Sequence, residues 1–245
     1  MRINIFKTPD MMGADSARFI AQKLNEAIAR KGEARLLLST GASQLDMFPY
    51  LVKENVDWAK VTMFHLDEYV ALPESHIASF RKYLKERFVS QVKNLKEAVF
   101  VNGEGDINKN IEYITKRIKE KPIDVGVIGI GENGHIAFND PPADFNTDKS
   151  YIVVNLDDRC KHQQVGEGWF ATVNDVPKQA ISMTVPQIMS CACIVSIVPH
   201  SVKAEAIENT LKKTCTNMVP ATIMKQHADW NLWLDEESAS GFMCF

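Results

Sequence analysis

Gly129-Ile130-Gly131-Glu132-Asn133-Gly134-His135-Ile136-Ala137-Phe138-Asn139-Asp140 follows directly on an apolar run at residues 123–128. An apolar run that ends in glycines reads as a buried parallel strand with its exit loop. Three glycines within six positions let the backbone turn tightly and come close to a ligand. His135 and Asp140 then follow at once. A glycine loop with titratable side chains at a strand's carboxyl end is where an open α/β sheet places its active site. The letters G-x-G-x-x-G are present, yet the dinucleotide fingerprint opens a helix and has an acidic residue about 20 positions on. Here Asn139-Asp140-Pro141-Pro142 cuts off any helix. The stretch reads as a loop, not a cofactor cradle.

Outward from this loop, strand and helix patterns alternate. Residues 2–6, 35–38, 61–66, 99–101, 151–156, 181–185, 193–198 and 230–234 read as strands. A first helix, capped by Asp15 or Ser16, carries Ala17, Ile20, Leu24 and Ile28 on one face and ends at Gly32. Further helices are predicted through Leu45–Val52, over 77–88, over 107–121 with Ile111, Ile114 and Ile118 inward, and over 201–211, with a short turn at 187–189. Residues 160–178 are polar and contain Gly166 and Gly168; with their flanks, about 157–178, they predict a loop or lid. Asp67-Glu68-Tyr69 reads as the exit of the third strand. The alternation implies one Rossmann-like α/β domain over residues 1–245, a mainly parallel twisted sheet with helices on both faces.

The chain has 245 residues, 45% of them hydrophobic, which is enough for one large core. A net charge of −3, without a Lys/Arg cluster, argues against a nucleic-acid partner. No apolar stretch is long enough to cross a bilayer, and the N-terminus reads as a strand rather than a signal peptide. A cytoplasmic protein is expected, monomer or homo-oligomer. The five cysteines are irregularly spaced and predict no metal site. Strand alternation would put Cys191 and Cys193 on one face, as buried thiols.

Four predicted strand exits carry ligand-ready residues: 39–43, 67–69, 129–140 and 199–203. In a parallel sheet all of them lie along one edge. Thr40-Gly41-Ala42-Ser43 suits an anion at a helix N-terminus, where an N-cap is the simpler alternative. Lys203, expected in the first turn of a helix, is disfavoured there without an anion nearby. Asp67 is a candidate general base, and His135 with Asp140 an acid–base pair. His65 reads as structural, and His162, His200 and His227 as isolated.

Phe64-His65-Leu66-Asp67-Glu68-Tyr69-Val70-Ala71-Leu72-Pro73, with His76 and Ser79 beyond, resembles the Asp-Glu-Tyr motif of the glucosamine-6-phosphate deaminase/isomerase family. Gly134-His135-Ile136-Ala137-Phe138-Asn139-Asp140-Pro141 is similar to that family's Gly-His-Ile-Ala/Gly-Phe-Asn-Glu-Pro signature. Thr40–Ser43 resembles its phosphate loop and residues 201–204 its lysine-bearing loop. The matches fall in order over about residues 1–235.

The resemblance implies an amino-sugar phosphate as substrate and no metal or organic cofactor. It assigns ring opening to His135, proton transfer between C2 and C1 to Asp67, and orientation of His135 to Asp140, with Asn133 beside them. It places the substrate against Thr40, Gly41, Ala42, Ser43, Glu68, Gly134 and Lys203. Asn133 stands where some members have aspartate, Asp140 where glutamate is usual, and Phe80 where many have tyrosine. No arginine for the phosphate is found around residues 163–170, and the serine pair of an allosteric site is missing near 143–153, so weak or no allosteric activation is expected. Galactosamine 6-phosphate is an alternative substrate. A 6-phosphogluconolactonase-like hydrolase and a non-catalytic sugar-phosphate sensor are alternative functions.

Overall fold

The computed structural model describes residues 1–242, with Arg159 described by its backbone alone. In chain order the elements are β1 (Arg2–Phe6), α1 (Pro9–Lys31), β2 (Ala34–Leu38), α2 (Phe48–Leu51), β3 (Val61–His65), β4 (Asp67–Tyr69), α3 (Phe80–Leu84), β5 (Glu97–Val99), α4 (Ile107–Lys119) and β6 (Val125–Val127). They continue as β7 (Tyr151–Asn155), α5 (Asp158–Gly166), β8 (Gln179–Met183), α6 (Val185–Met189), β9 (Cys193–Val198), α7 (Ala204–Lys212), β10 (Trp230–Asp235) and α8 (Glu236–Ala239).

Seven strands form one all-parallel sheet in the order β1-β10-β9-β6-β2-β3-β5. The chain runs outward from β2 through β3 to β5. It then returns to β6, on the other side of β2, and runs outward through β9 and β10. The boundary between β2 and β6 is therefore the point where the winding reverses, and a crevice opens there at the carboxyl ends of the strands.

Both faces of the sheet are covered, so the central strands β2, β6 and β9 are near-continuous apolar runs, interrupted by Arg35 and Ser196, rather than alternating. Leu36, Leu38, Val125, Val127, Val195 and Ile197 pack with Ile20 and Leu24 of α1. Leu37, Ile194 and Val198 point the other way, onto Ile114 and Ile118 of α4 and Ile207 of α7. Each such side chain contributes roughly 1.5–3 kcal/mol by leaving water.

The structure departs from the sequence reading at several elements. The first helix starts at Pro9, not near Asp15. Thr8 caps it, accepting from the Met11 N–H at 3.2 Å, and Pro9 occupies the first turn, where its missing N–H costs nothing. The helix predicted over 77–88 begins at Phe80 under a Ser79 cap and loosens into a π turn over Lys85–Val89. The segment predicted as a polar loop is helical over Asp158–Gly166, capped by Asp157. Asp67–Tyr69 is no exit loop. It is a strand of a second, antiparallel sheet, β4-β8-β7. Leu66 is the joint: its N–H still reaches Leu38 of the first sheet, while its carbonyl accepts from Met183 of the second.

Cys191 and Cys193 are buried and free, but they do not share a face. Cys191 precedes β9 and packs with the α4 side, whereas Cys193 lies on the α1 side. Cys244 lies outside the described residues. Among the described residues, no helix is long and apolar enough to cross a membrane.

Candidate active site

The four exits do converge. One pocket at the β2/β6 crevice is lined by the 39–43 loop, by Asp67, by Gly129–Gly131 with His135, and by Lys203. Phe80, Ala137 and Phe138 supply apolar wall, and Gln163, Gln164 and Glu167 come from α5 and its end. These wall residues were not anticipated. Only the polar character of 157–178 hinted that part of it faces a ligand.

Asp67 is 6% exposed, and its carboxyl has no hydrogen-bond or ion-pair partner among the described residues. Burial raises its pKa well above the ordinary carboxylate value, and the neighbouring Glu68 charge adds to the rise.

His135 is set by its loop. Its peptide N–H donates to Asn133 Oδ1 at 3.0 Å, and its carbonyl accepts from the Gly131 N–H at 2.9 Å. The imidazole lies against the Gly131 backbone so closely that a Cβ at 131 would come within 2.2 Å of the ring. Gly134, at φ +82°, supplies the left-handed turn, and a Cβ there would meet Val219 at 2.7 Å. Two of the glycines in the opening motif are thus required by close contact.

Asp140 reaches the histidine despite its short side chain, with Oδ1 lying 3.2 Å from His135 Nδ1. The pair is in ion-pair range but lacks the alignment of a full hydrogen bond. Asn133 Nδ2 donates to the same oxygen at 3.0 Å. Burial pushes the Asp140 carboxyl up, but His135 and Asn133 outweigh it and hold the group below its usual value. Asn133 and Gly134 thus act behind the pocket wall, positioning His135 rather than lining the cavity.

Glu68 is not brought to the pocket. Consecutive strand residues point to opposite faces, so with Asp67 in the pocket Glu68 points away. It is fully buried and accepts from Ser79 Oγ, the Phe80 and Arg81 N–H groups, and Arg81 Nε.

The anion end differs in one respect from expectation. The helix predicted through Leu45–Val52 is only Phe48–Leu51, and a three-residue 3-10 turn, Ala42–Gln44, directly follows the loop, so the helix dipole contributes little. The loop is instead held open by Gly41, whose carbonyl accepts from Tyr83 Oη at 2.8 Å. Lys203, in the 3-10 turn before α7, is 5% exposed, and no carboxylate lies within 4.0 Å of its Nζ among the described residues. Burial lowers its pKa, while Glu167 and Glu132 pull it back.

Of the other histidines, His65 is structural as expected. It is fully buried, accepts from the Val101 N–H at 2.6 Å, and burial drives its pKa to about 3. His227 contacts the Cys191 carbonyl, and His200 sits 3.5 Å from Asp46.

A doubly wound sheet with a buried carboxyl group and an orientated imidazole in the crevice at its switch point defines an α/β protein of the enzyme class. More particularly, the chain belongs to the family of glucosamine-6-phosphate isomerases and 6-phosphogluconolactonases, whose model matches residues 7–233. It is 32% identical over 239 residues to a glucosamine-6-phosphate deaminase of Streptococcus equi subsp. equi, covering 97% of this chain and 99% of the relative. A glucosamine-6-phosphate deaminase of Staphylococcus epidermidis is 35% identical over 232 residues, covering 90% of this chain and 93% of its own. The structure superposes on a monomeric glucosamine-6-phosphate deaminase of the NagB superfamily with a TM-score of 0.90 at 26% identity, covering 98% of this chain and 100% of that one. A 6-phosphogluconolactonase from Shewanella baltica shares the fold at a TM-score of 0.79 and 19% identity, over 96% and 97% of the two chains. The resemblance seen in the motifs is therefore a family relationship.

Proposed function

We propose that the protein isomerises and deaminates glucosamine 6-phosphate, giving fructose 6-phosphate and ammonia. The observation that carries this reading is one pocket holding Asp67 and His135 together with the 40–43 loop and Lys203. A proton-transfer pair sits beside an anion site, as a phosphorylated sugar requires. The relatives named as deaminases, at 32% and 35% identity, support a deaminase over a lactonase.

In the scheme, the phosphate rests on residues 40–43 and Lys203. His135, held by Asp140, gives a proton to the ring oxygen while the C1 hydroxyl loses one, and the ring opens. Asp67, ionised, takes the proton from C2 while the C1 oxygen regains the proton it gave up on ring opening, forming an enolamine, and Asp67 then delivers its proton to C1. C2 then carries an iminium group. Water adds there and ammonia leaves. The C1 aldehyde of the opened sugar is the electron sink, so the scheme calls on no added cofactor. Every residue in it comes from one chain. A cytoplasmic setting, where small sugar phosphates are found, goes with the reading, as does a lid formed by residues 157–178.

The test is ammonia release from a panel of 6-phosphorylated hexosamines, with 6-phosphogluconolactone hydrolysis assayed beside it. Glucosamine 6-phosphate should be turned over and unphosphorylated glucosamine should not. Lactone hydrolysis without ammonia formation would refute the reading. Lys203→Met should raise KM for the sugar phosphate about 10- to 100-fold, as expected for a lost charge-assisted contact, with kcat changed only a few-fold. Steady-state kinetics separates the two effects.

A further inference from the structure

The residue after the phosphate loop, Gln44, is a fully buried amide with neither Nε2 nor Oε1 hydrogen-bonded. Its backbone is occupied, the N–H donating to Gly41 and the carbonyl accepting from Met47. Only the side chain lacks a partner. Ser39, at the loop's other end, is 5% exposed, and its hydroxyl is also buried without a partner. Folded proteins rarely leave such groups unmatched.

The two groups border one space. A Cβ built on Gly129 would lie 3.5 Å from Gln44 Nε2 and 4.0 Å from Ser39 Oγ. Ser39 and Gly129 both line the pocket. A side chain at 129 would therefore occupy the room that opens toward these two donors. The donors also bracket the loop that, on the proposed function, receives the phosphate, and Lys203 lines the same pocket.

Resting on that proposed function, we infer that Ser39 on the pocket wall and Gln44 immediately behind it, across the space beside Gly129, form a hydrogen-bonding subsite that donates to a phosphate oxygen of the substrate. An amide and a hydroxyl add directed donors to the single cation of Lys203. No residue type in the loop advertised this. Gln44 is visible only once its burial and lack of partners are known.

The inference separates from a structural role by its sign. An amide satisfied inside the protein would stabilise the ligand-free fold, and its loss would lower Tm. An amide awaiting a ligand costs stability until the ligand arrives, so an apolar replacement of similar shape leaves Tm unchanged or higher. Titration calorimetry with inorganic phosphate and thermal unfolding without ligand should be run on wild type, Gln44→Leu and Ser39→Ala. The expected result is phosphate affinity about tenfold weaker in Gln44→Leu and several-fold weaker in Ser39→Ala, with ligand-free Tm not lowered. Unchanged affinity in both variants overturns the inference, as does a lowered Tm with wild-type affinity. Should Gln44→Leu not fold, Ser39→Ala decides on the same criterion. Ammonia release by the wild type is measured alongside. Its absence would remove the functional reading, whereas ammonia formation with equal phosphate affinities would remove the subsite alone.

Discussion

Asp67→Asn is expected to lower kcat/KM for glucosamine 6-phosphate by about 10²- to 10⁴-fold while making the ligand-free protein harder to unfold. The first effect follows from the loss of a base, since an amide cannot accept the C2 proton. The second follows from where the carboxyl sits. Asp67 is nearly fully buried, and burial first, with Glu68 second, raises its pKa well above the ordinary value. The folded state therefore binds this proton more tightly than the unfolded chain does. Below the ordinary carboxylate pKa both states are protonated, and the contribution to stability is fully present. As pH rises past that value the unfolded chain releases its proton first, and stability falls until the folded carboxyl also ionises. Asparagine has no proton to lose. The gain in Tm from Asp67→Asn should thus be larger at pH 8 than at pH 5, and thermal unfolding at the two pH values checks it. The same raised pKa places the acid limb of kcat/KM above the usual carboxylate range, because only ionised Asp67 starts the reaction. A variant that kept its turnover, or that lost stability at pH 8, would contradict the role given to this side chain.

The fold was legible where burial on both faces forces near-continuous apolar runs, as at Leu36–Leu38 and, with Ser196 its one polar member, Cys193–Val198. It was not legible where an element is held only by partners far along the chain. Asp67–Tyr69 has no periodic signal in three residues, and its strand character comes from β8, more than 100 positions on. Strand geometry sends 67 and 68 to opposite sides, so Glu68, which the resemblance placed against the substrate, turns away from the pocket that holds Asp67. His135 and Asp140 were legible because they are close in sequence and a tight turn brings them together. Helix α5 was missed because its face carries little hydrophobic periodicity, although the Asp157 cap was there to be read. The Thr8-Pro9 start of α1 was likewise written in the chain, a capping hydroxyl followed by a proline in the first turn.

Glu68→Gln is expected to cost about 3–5 kcal/mol of stability, the usual result of removing one partner of a buried ion pair. Glu68 is 0% exposed and receives five hydrogen bonds: from Ser79 Oγ at 2.9 Å, from the N–H groups of Tyr69, Phe80 and Arg81, and from Arg81 Nε at 3.1 Å. A glutamine amide keeps the shape but turns one acceptor into a donor and removes the charge that Arg81 faces. Arg81 would keep Asn102, the Leu72 carbonyl and Glu104, of which Glu104 is its nearest remaining carboxylate. A second effect separates this residue from a purely structural brace. Glu68's charge helps to raise the pKa of Asp67, so its removal favours the ionised base and should move the acid limb of kcat/KM to lower pH. Denaturant unfolding reads the first effect and a pH–rate profile the second. Stability within about 1 kcal/mol of wild type would mean that the five bonds are worth no more than an exposed pair. An unmoved acid limb in a folded variant would mean that burial alone sets the base.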